Sequence, residues 1–228
     1  SDLLDPGHGH ATFLQGSANP EIDPEVHVYA PAGPDVQQYI NSIERANSRK
    51  ASPTGWKLVV YTGADYLQKM LAEKKGNAVL ISGNNSKKSL YIKSSVKAGF
   101  HVIADKPMAI TDFKSLEKSF KIAERKKVLL FDPMDLRYDI SNILQKELAG
   151  MPELFGALQK GTLENPALVQ ANLHHYLKGL TGQTGVRPAW FFDVEQQGHG
   201  IVDVSTHLVD MNQWLSFPDV SINYKSDI

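Results

Sequence analysis

His101-Val102-Ile103-Ala104-Asp105-Lys106-Pro107 is the stretch that most directly indicates the fold of this 228-residue chain. The apolar run at 102–104 predicts a short buried strand, and the proline that follows it cannot continue a hydrogen-bonded ladder. Asp105 and Lys106 therefore stand at the carboxyl edge of the strand, which is where open α/β sheets bind their ligands. A solvated loop that happens to carry an acid and a lysine is the alternative interpretation.

The chain before residue 132 alternates short apolar runs with longer segments of helical periodicity, a pattern that predicts repeated βαβ units and a parallel sheet. Six strands are predicted at residues 3–4, 26–29, 58–61, 78–81, 102–104 and 128–131. Helices are predicted at residues 12–16, 35–46, 65–74, 88–98 and 113–126. Six strands with five crossovers are the count of a complete doubly wound domain, so residues 1–132 are predicted to form a Rossmann-like dinucleotide-binding domain.

The pattern changes after Asp132. Helices are predicted at 140–149 and 201–215, a strand at 154–163, and a loop-like tract at 164–200. Residues 133–228 are therefore predicted to be an α+β substrate domain with an open sheet. This part is short for such a domain, which suggests that the chain is a truncated form of a longer protein.

Composition narrows the class of partner. The chain has 24 Lys and Arg against 25 Asp and Glu, a net charge of −1, so nothing indicates nucleic acid or an anionic membrane. It has no cysteine, which excludes disulfides, thiolate catalysis and cysteine metal sites. No apolar run approaches the ~18 residues of a membrane helix, and no signal-peptide pattern opens the chain. We expect a small-molecule partner and leave the compartment open, with the cytoplasm slightly favoured over the periplasm.

The turn after the first strand stands where a phosphate-binding loop is expected. Gly7 and Gly9 match the first two glycines of G-x-G-x-x-G, Thr12 replaces the third, and a helix N-terminus behind them would face a phosphate. An ordinary glycine turn is the alternative. The turn after the second strand has neither an acid nor an arginine at the strand end, so NAD and NADP cannot be separated. The predicted cofactor-binding residues are Gly7, His8, Gly9, His10, Ala30, Ser82, Gly83, Asn84, Asp105 and Lys106.

The same first turn, Asp5-Pro6-Gly7-His8-Gly9, also resembles the opening of zinc-dependent cell-wall amidases, in which the histidine is a metal ligand. Zinc needs about three protein ligands and an open position. The candidates would be His8, His10, Glu21 or Glu25, and His101. A later histidine-bearing strand motif of that family is missing, so the amidase stays a remote alternative and no metal is expected.

A second group of ionisable residues lies in the predicted C-terminal helix. Asp203, His207 and Asp210 follow the spacing i, i+4, i+7 and share one face. An acid one turn from a histidine can hold the imidazole in one tautomer, as a general base requires. A solvated helical face with an incidental acid and histidine is the alternative.

Taken together, these segments resemble the Gfo/Idh/MocA family of nicotinamide-dependent sugar and polyol oxidoreductases. The family's Glu-Lys-Pro after the fifth strand is matched by Asp105-Lys106-Pro107, and its Asp-x-Gly-x-His motif by residues 203–207, with Ser205 in place of the glycine. The resemblance implies NAD or NADP as cofactor and a carbohydrate or polyol as substrate. It implies catalytic roles for Lys106, Asp203 and His207. It also implies a substrate pocket lined by Arg187, Trp190, Asp193 and His199.

The resemblance also implies a mechanism. His207 would exchange a proton with the substrate hydroxyl, Lys106 would stabilise negative charge on the same oxygen, and Asp203 would orient the histidine. Two further functions stay open: a family variant that uses a tightly bound cofactor to cleave or rearrange a sugar, and a non-catalytic dinucleotide-binding sensor. An exposed sheet face in the second domain would be covered by a partner subunit, which predicts a homo-oligomer.

Overall fold

A computed structural model describes residues 1–171, 177–180, 183–200, 205–217, 220–223 and 225–226 of the chain. These residues divide into two compact units. The first comprises Ser1–Pro133 and Tyr176–His199, and the second comprises Met134–His175 and Gly200–Ile228. The assignment of residues 1–132 to a dinucleotide domain and 133–228 to a substrate domain stays a prediction.

The first unit is built on six parallel strands in the order β3-β2-β1-β4-β5-β6. This is the strand order of a doubly wound dinucleotide-binding sheet, and it confirms the predicted Rossmann-like fold. The register pairs Leu4 with Ile81 and Ile81 with Ala104, so the turns after these three strands leave the same edge side by side. The strands are β1 (Asp2–Leu4), β2 (Glu25–Tyr29), β3 (Lys57–Tyr61), β4 (Ala78–Ile81), β5 (His101–Ala104) and β6 (Leu130–Phe131).

Side chains of successive strand residues point to opposite faces, which gives the sheet a hydrophobic core on each side. Leu3 and Leu80 pack on one face, whereas Leu4 and Ile81 pack on the other. Helices cover both faces: α1 (Pro34–Ser48), α2 (Tyr66–Glu73), α3 (Asn85–Ala98) and α4 (Phe113–Lys126). The bounds of α4 are those that the sequence predicts. Asp112 caps its first turn by accepting a hydrogen bond from the Ser115 amide.

The first crossover differs from the prediction. No α-helix forms at residues 12–16; the chain makes a single 3-10 turn at Gly9–Thr12 instead. The segment that follows, Gly16-Ser17-Ala18-Asn19-Pro20, has no apolar periodicity and contains a glycine and a proline, so a longer helix would have little to stabilise it. One 3-10 turn carries a much smaller dipole than the helix N-terminus expected at this point.

The first unit also contains elements from the tract predicted to be loop-like. Strands β7 (Leu177–Leu180) and β8 (Gln183–Val186) form an antiparallel hairpin. A 3-10 turn at Ala189–Phe192 and a short helix α7 (Val194–Gln197) follow. The prediction of an irregular tract is wrong here, because residues 177–180 pair with residues 183–186 in an antiparallel ladder.

In the described residues of the second unit, the regular secondary structure is helical. It has a 3-10 turn at Asp135–Tyr138 and the helices α5 (Ile140–Ala149), α6 (Pro152–Phe155) and α8 (Thr206–Ser216). The strand predicted at 154–163 is wrong: Pro152 opens a helical turn that ends at Phe155, and residues 156–163 are exposed and form no strand. The described part of this unit therefore does not include the open sheet expected of it. In the helix predicted at 201–215, residues 201–204 lie outside the described part.

No helix among the described residues combines the length and the apolar character needed to cross a membrane.

Gly83→Ala is expected to lower the free energy of unfolding by about 3 kcal/mol, the upper end of the cost of overpacking. A Cβ at Gly83 would lie 1.9 Å from the backbone oxygen of Asp5, so the turns after β1 and β4 would have to separate. Urea denaturation measures the change. The matched control is Gly55→Ala, where a Cβ meets nothing within 4 Å, and equal losses in the two variants would contradict the prediction.

Candidate functional site

The carboxyl edge of the sheet brings together turns that are distant in sequence. The backbone oxygen of Ser82, after β4, accepts hydrogen bonds from the amides of Gly7 (2.8 Å) and His8 (3.0 Å), after β1. The Ser82 hydroxyl donates to Asp105 Oδ2, after β5, at 3.0 Å. Most of the predicted cofactor-binding residues thus form one connected group at the point where the sheet reverses its strand order, which is the usual ligand crevice of this fold.

Asp105 forms a buried ion pair with Lys88 of α3. The Lys88 ammonium contacts Asp105 Oδ1 and also donates to the Asp105 backbone oxygen at 3.0 Å. Burial alone would raise the pKa of Asp105, but the Lys88 charge and the two neighbouring imidazoles outweigh it and hold this pKa well below its usual range. Asp105 is therefore an anion at neutral pH, fixed in place by a cation that the sequence-based prediction missed.

His8 and His10 turn their imidazoles toward the same carboxylate. His8 Nδ1 lies 3.2 Å and His10 Nδ1 lies 3.3 Å from Asp105 Oδ2. Burial lowers the pKa of His8 to about 4, although Asp105 acts in the opposite direction. His8 is therefore neutral at neutral pH, and the two rings lie edge to face with their centroids 4.1 Å apart.

The other predicted cofactor residues have structural contacts at the same edge. Ala30 is buried at the end of β2, where its amide donates to the Tyr61 backbone oxygen. Asn84 caps α3, and its Nδ2 donates to Gln196 Oε1 at 2.7 Å. Lys106, which follows Asp105, is only 5% exposed.

Two of the predicted substrate residues, Arg187 and Trp190, lie in the segment of the first unit that covers this edge. Trp190 Nε1 donates to Asp35 Oδ2 at 2.6 Å, and the Trp190 ring lies 3.2 Å from the position of a Cβ on Gly7. The Arg187 guanidinium lies 4.3 Å from the centroid of the Phe191 ring, which in turn stacks near His8. Aromatic and cationic side chains therefore cover the first turn.

The remaining two predicted substrate residues do not join this group. Asp193 is the N-cap of α7, where Oδ1 accepts a hydrogen bond from the Glu195 amide at 3.0 Å and Oδ2 accepts one from Gln196 Nε2 at 2.7 Å. His199 is exposed at the end of the first unit. A role for either in binding substrate stays a prediction.

The predicted acid-base residues lie in the second unit or outside the described part. His207 is buried on α8, with Nε2 at 3.8 Å from Asp135 Oδ1. Asp210, on the same helix, forms a bidentate ion pair with Arg137. His207 and Asp210 are 7% and 8% exposed, so this helical face is not the solvated one of the alternative interpretation. Asp203 lies outside the described residues, and Lys106 belongs to the first unit.

A group that the sequence-based prediction missed lies below the first turn. Asp5 is buried and has a left-handed backbone conformation, with φ of 52°. Its Oδ2 accepts a hydrogen bond from the Tyr91 hydroxyl at 2.8 Å, and the Tyr66 hydroxyl contacts that of Tyr91 at 2.5 Å. Burial raises the pKa of Asp5, and the hydrogen bond from Tyr91 offsets this only in part.

Asp5→Asn is expected to raise the free energy of unfolding at pH 7 by about 1 kcal/mol, because the neutral amide avoids the cost of burying a charge. The folded pKa of Asp5 is raised above the unfolded value of 3.8, so the parent protein loses stability as pH rises through that interval. The variant has no such loss. Urea denaturation at about pH 3 and pH 7 measures the difference, and a gain that failed to grow with pH would contradict this prediction.

The ligand set expected for a zinc amidase is not assembled. Glu25 and His101 begin β2 and β5, so they lie at the amino edge of the parallel sheet, opposite the first turn. Glu25 pairs there with His27, and His101 Nδ1 accepts a hydrogen bond from the Leu129 amide.

The residues of the carboxyl edge fit a dinucleotide. Gly83 has no space for a side chain, because a Cβ there would meet the Asp5 backbone, and this keeps the turns after β1 and β4 close together at the reversal of strand order. A Cβ on Gly7 would be tight against the side chains of Asp35 and Trp190. Gly9 adds no side chain where the first turn enters its helical segment. The departure is the side chains of His8 and His10, which are directed at Asp105.

Comparisons with known proteins cover most of the chain. Residues 26–132 match the GFO_IDH_MocA model, described as an oxidoreductase family with an NAD-binding Rossmann fold, and residues 144–228 match a model of an oxidoreductase C-terminal domain. A solved protein from Parabacteroides merdae, described as an oxidoreductase, is 48% identical with a TM-score of 0.92, over 99% of this chain and 52% of that one.

Two more distant proteins are similar as well. An uncharacterized oxidoreductase of Schizosaccharomyces pombe is 24% identical over 170 residues, which are 74% of this chain and 40% of that protein. The WlbA dehydrogenase of Bordetella pertussis, solved with NADH and UDP-GlcNAcA, shares the fold at 17% identity and a TM-score of 0.55, over 95% of this chain and 59% of that one. The chain thus spans about half the length of the relatives it matches.

Proposed function

Because the chain belongs to the Gfo/Idh/MocA family of NAD-binding oxidoreductases, we propose that it transfers hydride between NAD or NADP and a hydroxyl-bearing carbon of a carbohydrate, sugar acid or cyclic polyol. The observation that carries the proposal is the carboxyl edge of the doubly wound sheet, where Asp105 and Lys106 stand beside the turns of Gly7 and Ser82. The fold shared with a dehydrogenase solved with NADH and a nucleotide sugar supports this class of cofactor and substrate.

The first and fourth turns would hold the dinucleotide. Gly7 and Gly9 keep the first turn without side chains where the phosphates are expected, Gly83 lets the turns after β1 and β4 approach each other, and Asn84 supplies a side-chain amide at the same edge. Trp190 and Arg187 would cover the bound molecule and exclude water from it. When bound, the nicotinamide ring supplies the hydride acceptor or donor of the reaction.

Lys106 and His207 would act on the substrate oxygen. A lysine that is 5% exposed is poorly solvated, so its ammonium can stabilise negative charge that develops on the oxygen. A buried histidine can accept the hydroxyl proton during oxidation and return it during reduction. Asp203 would orient the imidazole.

A substrate screen tests this function. The full-length protein is incubated with NAD or NADP and a panel of sugars, sugar acids and inositols, and formation of reduced nicotinamide is followed by absorbance. We expect turnover with at least one member of the panel. Dinucleotide that binds but never turns over would favour a sensor, and dinucleotide that copurifies without exchanging would favour sugar cleavage or rearrangement by transient oxidation. Either outcome would overturn simple dehydrogenation.

Homo-oligomer formation stays a prediction, and sedimentation of the full-length protein would measure it.

A further inference from the structure

Three donor atoms converge beneath the first turn of the sheet. They are one ring nitrogen of His8, one ring nitrogen of His10 and a carboxylate oxygen of Asp105, and all three lie within 4.8 Å of one another. The carboxylate is almost fully buried, and the two imidazole side chains are only 11% and 12% exposed. Among the described residues this is the group of His, Cys, Asp and Glu side chains that could hold a metal ion.

Hydrogen bonds alone do not satisfy these atoms. Asp105 Oδ2 already accepts a hydrogen bond from the Ser82 hydroxyl. His8 Nδ1 accepts only a long hydrogen bond of 3.4 Å, from the His10 amide. His10 Nδ1 is buried and forms no hydrogen bond, although it lies 3.3 Å from the carboxylate. A buried ring nitrogen and a carboxylate oxygen at this distance are costly to hold together unless a proton or a metal ion stands between them.

Two of the three separations are those of ligands on one ion. Two ligand atoms about 2.1 Å from a tetrahedral metal lie about 3.4 Å apart. The two nitrogen-to-oxygen distances here are 3.2 and 3.3 Å. The chemistry also fits, because two imidazoles and one carboxylate are a donor set that binds divalent transition metals and leaves positions open.

The charged residues around these three ligands orient one of them and lower the affinity of the site for a cation. Lys88 holds Asp105 Oδ1 and directs Oδ2 toward the imidazoles, as the outer partners of metal-binding carboxylates do. The charges of Lys88 and Lys106 also repel a cation, so we expect them to lower the affinity for the ion.

We propose that His8, His10 and Asp105 bind one divalent transition metal ion, of the class of Zn²⁺ and Fe²⁺, with at least one open coordination position. The ion joins the first turn to the end of β5. It also places positive charge at the carboxyl edge of the sheet, where the dipole of a single 3-10 turn supplies little. This site differs from the amidase ligand set, because its oxygen ligand is Asp105 rather than Glu21 or Glu25.

Cobalt titration of the full-length protein, freed of metal by a chelator and dialysed, tests the site. We expect one Co²⁺ per chain with the visible absorption of a tetrahedral or five-coordinate ion, displaced by one equivalent of Zn²⁺. His10→Gln should weaken binding by at least about 10- to 100-fold, the loss seen even when outer partners of metal ligands are removed. The matched control is His27→Gln, which removes a histidine that pairs with Glu25 on β2.

The possible results of this titration distinguish the proposed metal site from adventitious binding. Absence of stoichiometric binding to the parent protein would overturn the proposal, whatever the variants do. Equal binding by His10→Gln and the parent would identify adventitious surface binding and would also overturn it. If His10→Gln does not fold, His8→Gln takes its place, with circular dichroism as the check on folding. Metal binding without dinucleotide binding would support this site and contradict the proposed function, so the two fail independently.

Discussion

Lys88→Met lowers the free energy of unfolding by about 3–5 kcal/mol, which is the expected cost of leaving a buried charge without its partner. Lys88 is fully buried in α3, and its ammonium contacts both the carboxylate and the backbone oxygen of Asp105. Methionine fills similar space but leaves the carboxylate buried with only Ser82 and two imidazoles beside it. Urea denaturation of the parent and the variant at pH 7 measures the loss.

The chain supplies a matched control in Lys87→Met, one residue earlier on α3, where the lysine is exposed. This change should stay within about 0.5 kcal/mol of the parent. The double variant Lys88→Met/Asp105→Asn should recover part of the loss, because it removes both charges. Losses of the same size for Lys87→Met and Lys88→Met would contradict the assignment of a buried ion pair.

The second large effect concerns catalysis. With a substrate found in the screen, His207→Gln should lower kcat by about 10²- to 10⁴-fold, the usual contribution of a positioned general base. Lys106→Met should lower it by about 10²- to 10³-fold, as removal of one group that stabilises an oxyanion does. His207 is not among the predicted cofactor-binding residues, so in His207→Gln the Kd for the dinucleotide should stay within about threefold of the parent.

His27→Gln serves as the control, since His27 pairs with Glu25 at the amino edge of β2 and should keep parent activity. Steady-state kinetics with both substrates measures kcat and KM separately, and circular dichroism checks folding. Full activity in His207→Gln would remove the histidine from the proton transfer, whereas a change confined to KM would assign it to substrate binding alone.

The sheet could be predicted from the sequence because its signals are local. The apolar runs of β4 and β5 are short, continuous and followed at once by polar residues, and α4 has both a clear apolar face and a capping Asp112. A parallel sheet then fixes which turns meet, so Ser82 and Asp105 were expected at the same edge. The first crossover could not be predicted in this way, because the segment predicted to be helical, residues 12–16, is too short to show a helical period.

Contacts that depend on long-range packing could not be predicted from the sequence. Lys88 looks like one of several lysines on α3, and only its place one turn before buried Ile92 hints that it faces the sheet. The pairing of Trp190 with Asp35 joins residues 155 positions apart, for which no local pattern exists. The role of Asp193 as an N-cap could have been predicted, because an acid just before a short helix is a common N-cap.

Equilibrium titration of the full-length protein with NADH, NADPH and their oxidised forms is the most direct test of the central claim, that the carboxyl edge of this sheet binds a nicotinamide dinucleotide. We expect saturable binding of at least one form with one site per chain, measured by calorimetry and by quenching of tryptophan fluorescence. The quenching should be reduced in Trp190→Phe, because Trp190 lies against Gly7 in the first turn. A folded protein that binds none of the four forms would contradict the claim.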